Sequence, residues 1–240
     1  MEEKRLNKAI ADTGYCSRRE ADTLIEKKRV KVNGEVAVMG LKVTADDAIE
    51  VDGKLITNKP PLVYIALNKP RGIESTTDTR TANNIVDFVH HKERIFPIGR
   101  LDKDSEGLIL MTNDGDIVNK ILRSRNQHEK EYIVSVNKPI DDDFLAKMSN
   151  GVPILDTVTK KCKVEKIDKS TFRIILTQGL NRQIRRMVEY LGYRVVALKR
   201  IRILNINLGS LETGKWRSLS PLELHNLEEL LKDSAKTIDS

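Results

Sequence analysis

Residues 159–191 read TKKCKVEKIDKSTFRIILTQGLNRQIRRMVEYL. Within this stretch, 159–167 and 171–177 alternate polar with apolar side chains, the period-two pattern of antiparallel strands. Past Gly179 the pattern becomes helical, and 181–191 reads as a helix. Upstream, an apolar strand over 62–68 ends in Lys69-Pro70-Arg71-Gly72, followed by a helix near 84–89 and a loop over 90–98. A strand over 107–112, a helix over 116–122 and an alternating strand over 130–136 come next. A helix over 141–150 turns Phe144, Leu145 and Met148 inward, with an aspartate as its cap. Downstream, 194–208 is strand-rich and 221–231 forms an amphipathic helix. Strands and helices mix without a strand–helix–strand rhythm, so the expected fold is α+β, mainly antiparallel and with a central cleft, rather than doubly wound.

The first 55 or so residues form a different unit. Leu6, Ile10 and Ala11 share a helical face, and Gly14 stops that helix. Ser17 precedes Arg18-Arg19-Glu20, with Glu20 three places on, which is a capping box. The second helix turns Ala21, Leu24 and Ile25 inward and Arg18, Arg19, Lys27, Lys28 and Arg29 outward. Val30–Val32 leads into Asn33-Gly34, a strong hairpin signal, and 35–38 returns. Val43 and 49–51 add short strands, with a second turn at Asp52-Gly53. Asn58-Lys59-Pro60-Pro61 reads as a linker, because two prolines suit neither a helix interior nor a sheet. The expected domains are therefore 1–58, a helix–hairpin module, and 62–240.

The chain has 240 residues, 42 Lys+Arg and 35 Asp+Glu, a formal charge of +7. The excess is local. Residues 160–220 hold 15 basic and 4 acidic side chains, a net of +11, while 1–60 (12 and 11), 61–159 (13 and 15) and 221–240 (2 and 5) nearly cancel. One strongly basic stretch on a near-neutral protein suits a polyanion, most often nucleic acid; a solvated surface is the alternative. No apolar run spans a bilayer and the start, MEEKRLNKAI, lacks a secretory pattern, so no membrane partner and a cytoplasmic protein are expected. Cys16 and Cys162 stand far apart, which argues against a disulfide framework or a cysteine zinc site. The four histidines, His90, His91, His128 and His225, lack metal-ligand spacing and read as exposed loop residues. No phosphate-binding glycine loop and no nucleophile elbow occurs. The expectation is an enzyme without metal or organic cofactor, or no enzyme at all.

Two segments could carry chemistry. Gly99-Arg100-Leu101-Asp102-Lys103-Asp104-Ser105-Glu106-Gly107 is a charged loop between glycines that feeds an apolar strand. A carboxylate there, beside Arg100, suits a nucleophile or base; a solvated turn with salt bridges is the alternative. In Gly179–Met187, glycine and asparagine open a helix N-terminus, and Arg182, Arg185 and Arg186 recur at spacings of three and four. Such a set could hold phosphates or pair one carboxylate, or simply form a basic helix face.

Taken together, GRLDKDSEGLILMTNDG, KEYIVSV at 130–136 and QGLNRQIRRM at 178–187 resemble the active-site motifs of the RsuA/RluB/RluE/RluF family of pseudouridine synthases. NKPRG at 68–72 is similar to the strand-end motif that precedes them. The N-terminal unit resembles a small RNA-binding module common in these enzymes. The likeness runs from about Leu6 to Leu222 and is nearest the RluF branch, which acts on 23S ribosomal RNA.

The resemblance implies isomerisation of a uridine in RNA. The N1–C1′ bond is cut, the base rotates and it rejoins through C5. Asp102 matches the catalytic aspartate, in one account attacking C1′ and in another assisting removal of the C2′ proton. Arg185 matches the basic residue that pairs with it, and Tyr132 the tyrosine that stacks on the uracil and serves the final proton transfer from C5. Arg100 matches an arginine that fills the space left by the flipped nucleotide. Lys69, Arg71, Arg182 and Arg186 would grip phosphates, and Arg18, Arg19, Lys27, Lys28 and Arg29 would do so on the module. The implied partner is ribosomal RNA, with transfer RNA as an alternative substrate and a non-catalytic RNA-binding protein as the alternative class. A monomer is expected, and the acidic tail past Leu231 is expected to fray.

Overall fold

The structure, a computed structural model, describes residues 3–56, 59–122 and 128–232. The chain forms two compact units, one built from the residues up to Val63 with Lys92–Arg94 and Asn113–Gly115, the other from the remainder. Asn58 of the expected linker and the tail from residue 233 lie outside the described residues; Lys59, Pro60 and Pro61 take neither helix nor strand.

In the first unit, strand β1 (Lys4–Arg5) runs into helix α1 (Leu6–Asp12), and α2 spans Arg18–Glu26. Gly14 follows α1 at a φ of +78°, the left-handed turn that Gly supplies at little cost. The capping box is present: Ser17 Oγ accepts from Glu20 N, and the Glu20 carboxylate accepts from Ser17 N at 2.7 Å. Strands β2 (Val30–Val32), β3 (Glu35–Val36), β5 (Ile49–Val51) and β6 (Lys54–Leu55) make one sheet in the order β3-β2-β5-β6, while β4 (Lys42–Val43) pairs with β1. Asn33-Gly34 turns the hairpin with positive φ at both residues, as a type I′ turn requires. Leu6, Ile10, Ala21, Ile25, Val30 and Val51 close a core of their own.

The second unit is built on a nine-stranded sheet. Its strands are β7 (Tyr64–Lys69), β8 (Phe96–Pro97), β9 (Glu106–Thr112), β10 (Lys130–Val136), β13 (Lys163–Lys166), β14 (Thr171–Leu176), β15 (Val195–Ile203), β16 (Ile206–Asn207) and β17 (Trp216–Ser218). The main path is β13-β14-β10-β15-β9-β7-β17, with β16 on β15 and β8 on β9. A ribbon of β11 (Pro153–Ile154) and β12 (Thr157–Val158) stands apart. The helices are α3 (Ile85–Val89), α4 (Gly115–Leu122), α5 (Asp142–Asn150), α6 (Gln183–Tyr190) and α7 (Pro221–Leu230). Among the described strands all pairings are antiparallel except β15 with β9, where Lys199 faces Glu106 and Arg200 faces Gly107. The α+β, mainly antiparallel expectation is met. Among the described residues no helix is long and apolar enough to cross a membrane.

Local expectations fail where pairing is decided at a distance. The strand expected over 159–167 is only Lys163–Lys166 in the main sheet, because Thr159 is spent on Val152: its N–H donates to the Val152 carbonyl and its Oγ1 accepts from Val152 N. The loop expected over 90–98 contains β8, and β17 was not anticipated. The histidines are not uniformly exposed: His128 is buried with Nδ1 3.2 Å from the Ile121 carbonyl, and His91 lies edge-on to Trp216.

Candidate active site

The segment between β8 and β9 presents Asp102 at the edge of the parallel pair. Several bonds hold its loop. Ser105 N donates to the Asp102 carbonyl at 3.0 Å, and Gly72 N donates to the Lys103 carbonyl at 2.7 Å. Buried Ser75 donates through Oγ to the Leu101 carbonyl and accepts from Leu101 N. Lys103 reaches Glu74 at 2.9 Å.

Lys69, expected to grip phosphate, does something else. It is fully buried, and its Nζ donates to the carbonyls of Pro70 at 2.9 Å and Ile73 at 2.8 Å. It pins the turn on which the Asp102 loop rests, and no face of it is open to RNA. Burial and the nearby Arg200 charge push its pKa down to about 8, against the pull of Asp102, Asp104 and Glu106.

Opposite the loop, α6 begins at Gln183. Arg182 sits outside the helix as its N-cap, at a φ of +48° and with no side-chain cap, so the three arginines do not line one face. Arg182 forks onto Asp104 at 3.2 and 3.1 Å. Arg185 is buried; its Nη2 donates to Ser105 Oγ at 2.8 Å and to the Asp104 carbonyl at 3.1 Å, and Nη1 lies 3.4 Å from the Asp104 carboxylate. Arg186 turns back onto Asn181.

The expected Asp102–Arg185 pair is therefore looser than anticipated. Asp102 Oδ2 is 3.8 Å from Arg185 Nε and 3.5 Å from Arg182 Nη1, and its side chain keeps 34% exposure. Asp104 takes the arginine bonds instead. Burial opposes its charge, but the Arg182 hydrogen bonds and the Arg185 and Arg182 charges hold its pKa below the usual carboxylate range. Burial lowers the pKa of Arg185, while its bond to Asp104 raises that of Arg182. Asp102 is left within reach of two guanidiniums and hydrogen-bonded to neither, a carboxylate with free lone pairs.

A cleft of about 490 Å³, within the range that holds a ligand of nucleoside size, lies between these elements. Asp102, Tyr132, Arg185, Arg100 and Arg182 all line it. Tyr132 comes from β10, opposite Arg200 on β15 and Ile174 on β14. Arg71 lies outside the lining, donating to the Val196 carbonyl at 3.2 Å and standing 3.8 Å from Glu106. In the first unit Arg18, Arg19, Lys27, Lys28 and Arg29 are all exposed, and Arg29 is in addition forked onto Asp52 at 2.7 and 2.5 Å.

Two cleft residues escaped sequence reasoning. Arg200 is almost fully buried, donating through Nε to the Leu108 carbonyl at 2.7 Å, and its guanidinium carbon lies 6.0 Å from the Tyr132 ring centre. Lys130 lines the same cleft. Its place two residues before Tyr132 on an alternating strand was a usable signal, since both side chains share a face. Nothing local marks Arg200, which meets the site through a pairing across ninety residues. Among the described residues no cluster of three His, Cys, Asp or Glu could hold a metal.

A family model described as RNA pseudouridylate synthase matches residues 63–190, and one described as S4 domain matches residues 4–49. The dual-specificity RNA pseudouridine synthase RluF of Salmonella typhi is 58% identical over 233 residues, covering 96% of this chain and 81% of that protein. Ribosomal large subunit pseudouridine synthase B of Bacillus subtilis is 39% identical over 236 residues, covering 95% and 96%. A crystal structure of a pseudouridylate synthase superposes with a TM-score of 0.69 at 31% identity, over 93% of this chain and 99% of that one. Sequence motifs, a cleft that gathers them and near-full-length likeness agree: the chain belongs to the RNA pseudouridylate synthase family and carries an S4 domain ahead of its catalytic domain.

Proposed function

We propose that the chain converts a specific uridine of 23S ribosomal RNA to pseudouridine, with Asp102, Tyr132 and Arg185 carrying the reaction. The observation behind this reading is the convergence, on one cleft, of three residues drawn from segments far apart in sequence. The target atom C1′ is out of reach inside a stack, so the nucleotide flips into the cleft and exposed Arg100 at its wall takes the vacated place. Tyr132 supports the base. Asp102, whose oxygens accept no hydrogen bond among the described residues, acts at C1′ or on the C2′ proton. Arg182 and Arg185 stand 3.5 and 3.8 Å from its carboxylate, the positive side of the pocket in which it works. Arg71 and Arg186 serve the RNA backbone near the cleft.

The ribosomal assignment draws on the name of the Bacillus subtilis relative, a ribosomal large subunit pseudouridine synthase, and "dual-specificity" in the name of the Salmonella typhi one favours a second class of RNA, for which transfer RNA is the candidate. The test is to incubate the chain with 23S transcript, large-subunit particles and transfer RNA, and to map pseudouridine in each. A discrete new site in 23S RNA is expected; none in any ribosomal substrate would refute the assignment.

The N-terminal unit is proposed to position the RNA rather than to take part in the chemistry. Changing Arg18 and Arg19 together to Ala is expected to weaken binding and to flatten the salt dependence by roughly 1.4–1.8 in log–log slope, the loss of two phosphate contacts. The single-turnover rate at saturating enzyme should hold within about twofold, since phosphate contacts of this kind set position. A large fall in that rate would place the module in the active site.

A further inference from the structure

Breaking the N1–C1′ bond leaves its electron pair on the base. Whether Asp102 forms a bond to C1′ or helps to take the C2′ proton, uracil departs as an anion, its charge shared by N1, O2 and O4. That anion develops beside a carboxylate, so the cleft needs a cation not already committed elsewhere. Arg182 is committed to Asp104, and Arg185 to Ser105 and Asp104.

Lys130 is not committed. It lines the cleft on the Tyr132 face of β10, among Ile121, Leu176 and Ile203, and among the described residues its ammonium has no hydrogen-bond or ion-pair partner. The neighbouring carboxylates are taken: Glu131 binds Arg173 and Arg202, and Glu129 binds Arg202. Among the described residues Arg200, beside Tyr132, leaves Nη2 buried without a partner. Half-buried charge without a counter-ion is unfavourable for folding, which points to a ligand that supplies the missing negative charge.

We propose that Lys130 is a further catalytic residue of this isomerisation, its ammonium donating a hydrogen bond to a carbonyl oxygen of the flipped uracil and holding the charge that the base carries between bond cleavage and rejoining. The proposal rests on the isomerase reading above. Lys130 keeps its proton throughout; when C5 bonds to C1′ the Asp102–C1′ bond breaks, or on the other route the proton taken from C2′ returns there, after which C5 loses a proton and N1 gains one. The spare Arg200 Nη2 reinforces the same positive field.

Burial and the Arg200 charge bring the Lys130 pKa down to about 8. Around it, Arg200 faces the cleft from β15, while Arg202 and β14's Arg173 are drawn to Glu129, Glu131 and Glu165. His128 precedes the strand, with its own pKa lowered by burial. Arg100, Asp102, Arg182 and Arg185 face it across the cleft. Because the charged form is the one required, activity should be full below that pKa and fall as pH rises through about 8.

The test compares the unaltered chain with Lys130→Met and Lys130→Arg in single-turnover rate from about pH 6 to about pH 9.5, with RNA affinity and melting measured alongside. Lys130→Met is expected to slow the reaction at neutral pH by about 100-fold or more, the scale for removing one donor to a developing anion. Affinity should stay within about threefold, and melting should be unchanged or higher, since no partner is lost. Lys130→Arg should recover much of the rate and move the alkaline fall above about pH 9, because a guanidinium stays charged. A Lys130→Met variant with full rate, or one melting more than about 10 °C lower, would overturn the proposal. So would an alkaline fall left near its original pH by Lys130→Arg. An unaltered chain that modifies no RNA would refute the isomerase reading and this one with it; an active chain indifferent to Lys130 refutes this one alone.

Discussion

Asp102→Asn is expected to abolish pseudouridine formation, by at least about 10⁴-fold in single-turnover rate, the scale for losing a nucleophile or base. RNA affinity should stay within a few-fold. The prediction is sharp because Asp102 supports little of the structure. Its carboxylate stands 3.5 and 3.8 Å from two guanidiniums and accepts no hydrogen bond among the described residues. Its loop is held by others: Ser75 on Leu101, Gly72 on Lys103 and Arg185 on Ser105. Asparagine matches the shape, so the loss falls on chemistry and not on folding. Removing one negative charge from a basic cleft does not repel RNA, so binding should hold or tighten slightly. Full activity in this variant would remove Asp102 from the reaction.

Much of the architecture was legible because it is locally encoded. The Ser17/Glu20 capping box, the Asn33-Gly34 hairpin and the Asp141 cap of α5 each depend on residues within a few places of one another, and each is present. The strand read over 130–136 matches β10 to the residue, because β14 and β15 pair with it on either side along its length. Short strands such as β8 and β17 have no such internal pattern. They exist because β9 and β7 offer an edge, so their cause lies elsewhere in the chain.

The same division explains the site. Motif residues could be named because Asp102, Tyr132 and Arg185 sit in distinctive local strings, and all three reach the cleft. Which arginine meets which carboxylate could not be read. Arg182 lies one residue outside the helix in a left-handed conformation, and that small displacement lets it take Asp104 and approach Asp102. Lys69 misled for a related reason. A lysine beside proline and glycine suggests an exposed turn, but the turn folds back and offers two carbonyls, a solvation shell made of protein.

Gly107→Ala should be the most damaging single change to the second unit, and the reason couples fold to site. Gly107 has a φ of +108°, faces Lys69 across the antiparallel pair and faces Arg200 across the sheet's parallel pair. A Cβ there would lie 2.7 Å from the Arg200 nitrogen and closer still to its carbonyl oxygen. Both are backbone atoms, so no side chain can turn aside; β9 and β15 must part. Steric overlap and the disfavoured φ together should remove about 3–5 kcal/mol. That is a large share of the roughly 5–15 kcal/mol that holds a typical domain, and melting should fall by roughly 6–20 °C. The damage should reach the chemistry even where the chain stays folded. Arg200 bonds Leu108 beside this glycine, and the Asp102 loop enters β9 just before it, so parting the strands shifts both. A misplacement of about 1 Å can cost about 100-fold in rate. Gly179→Ala is the control for stability: its Cβ would meet nothing within 4 Å, and its φ lies outside the left-handed range. It should melt within a few degrees of the unaltered chain. Were Gly107→Ala to melt there too, the close approach of β9 and β15, and with it the geometry assigned to the cleft, would be wrong.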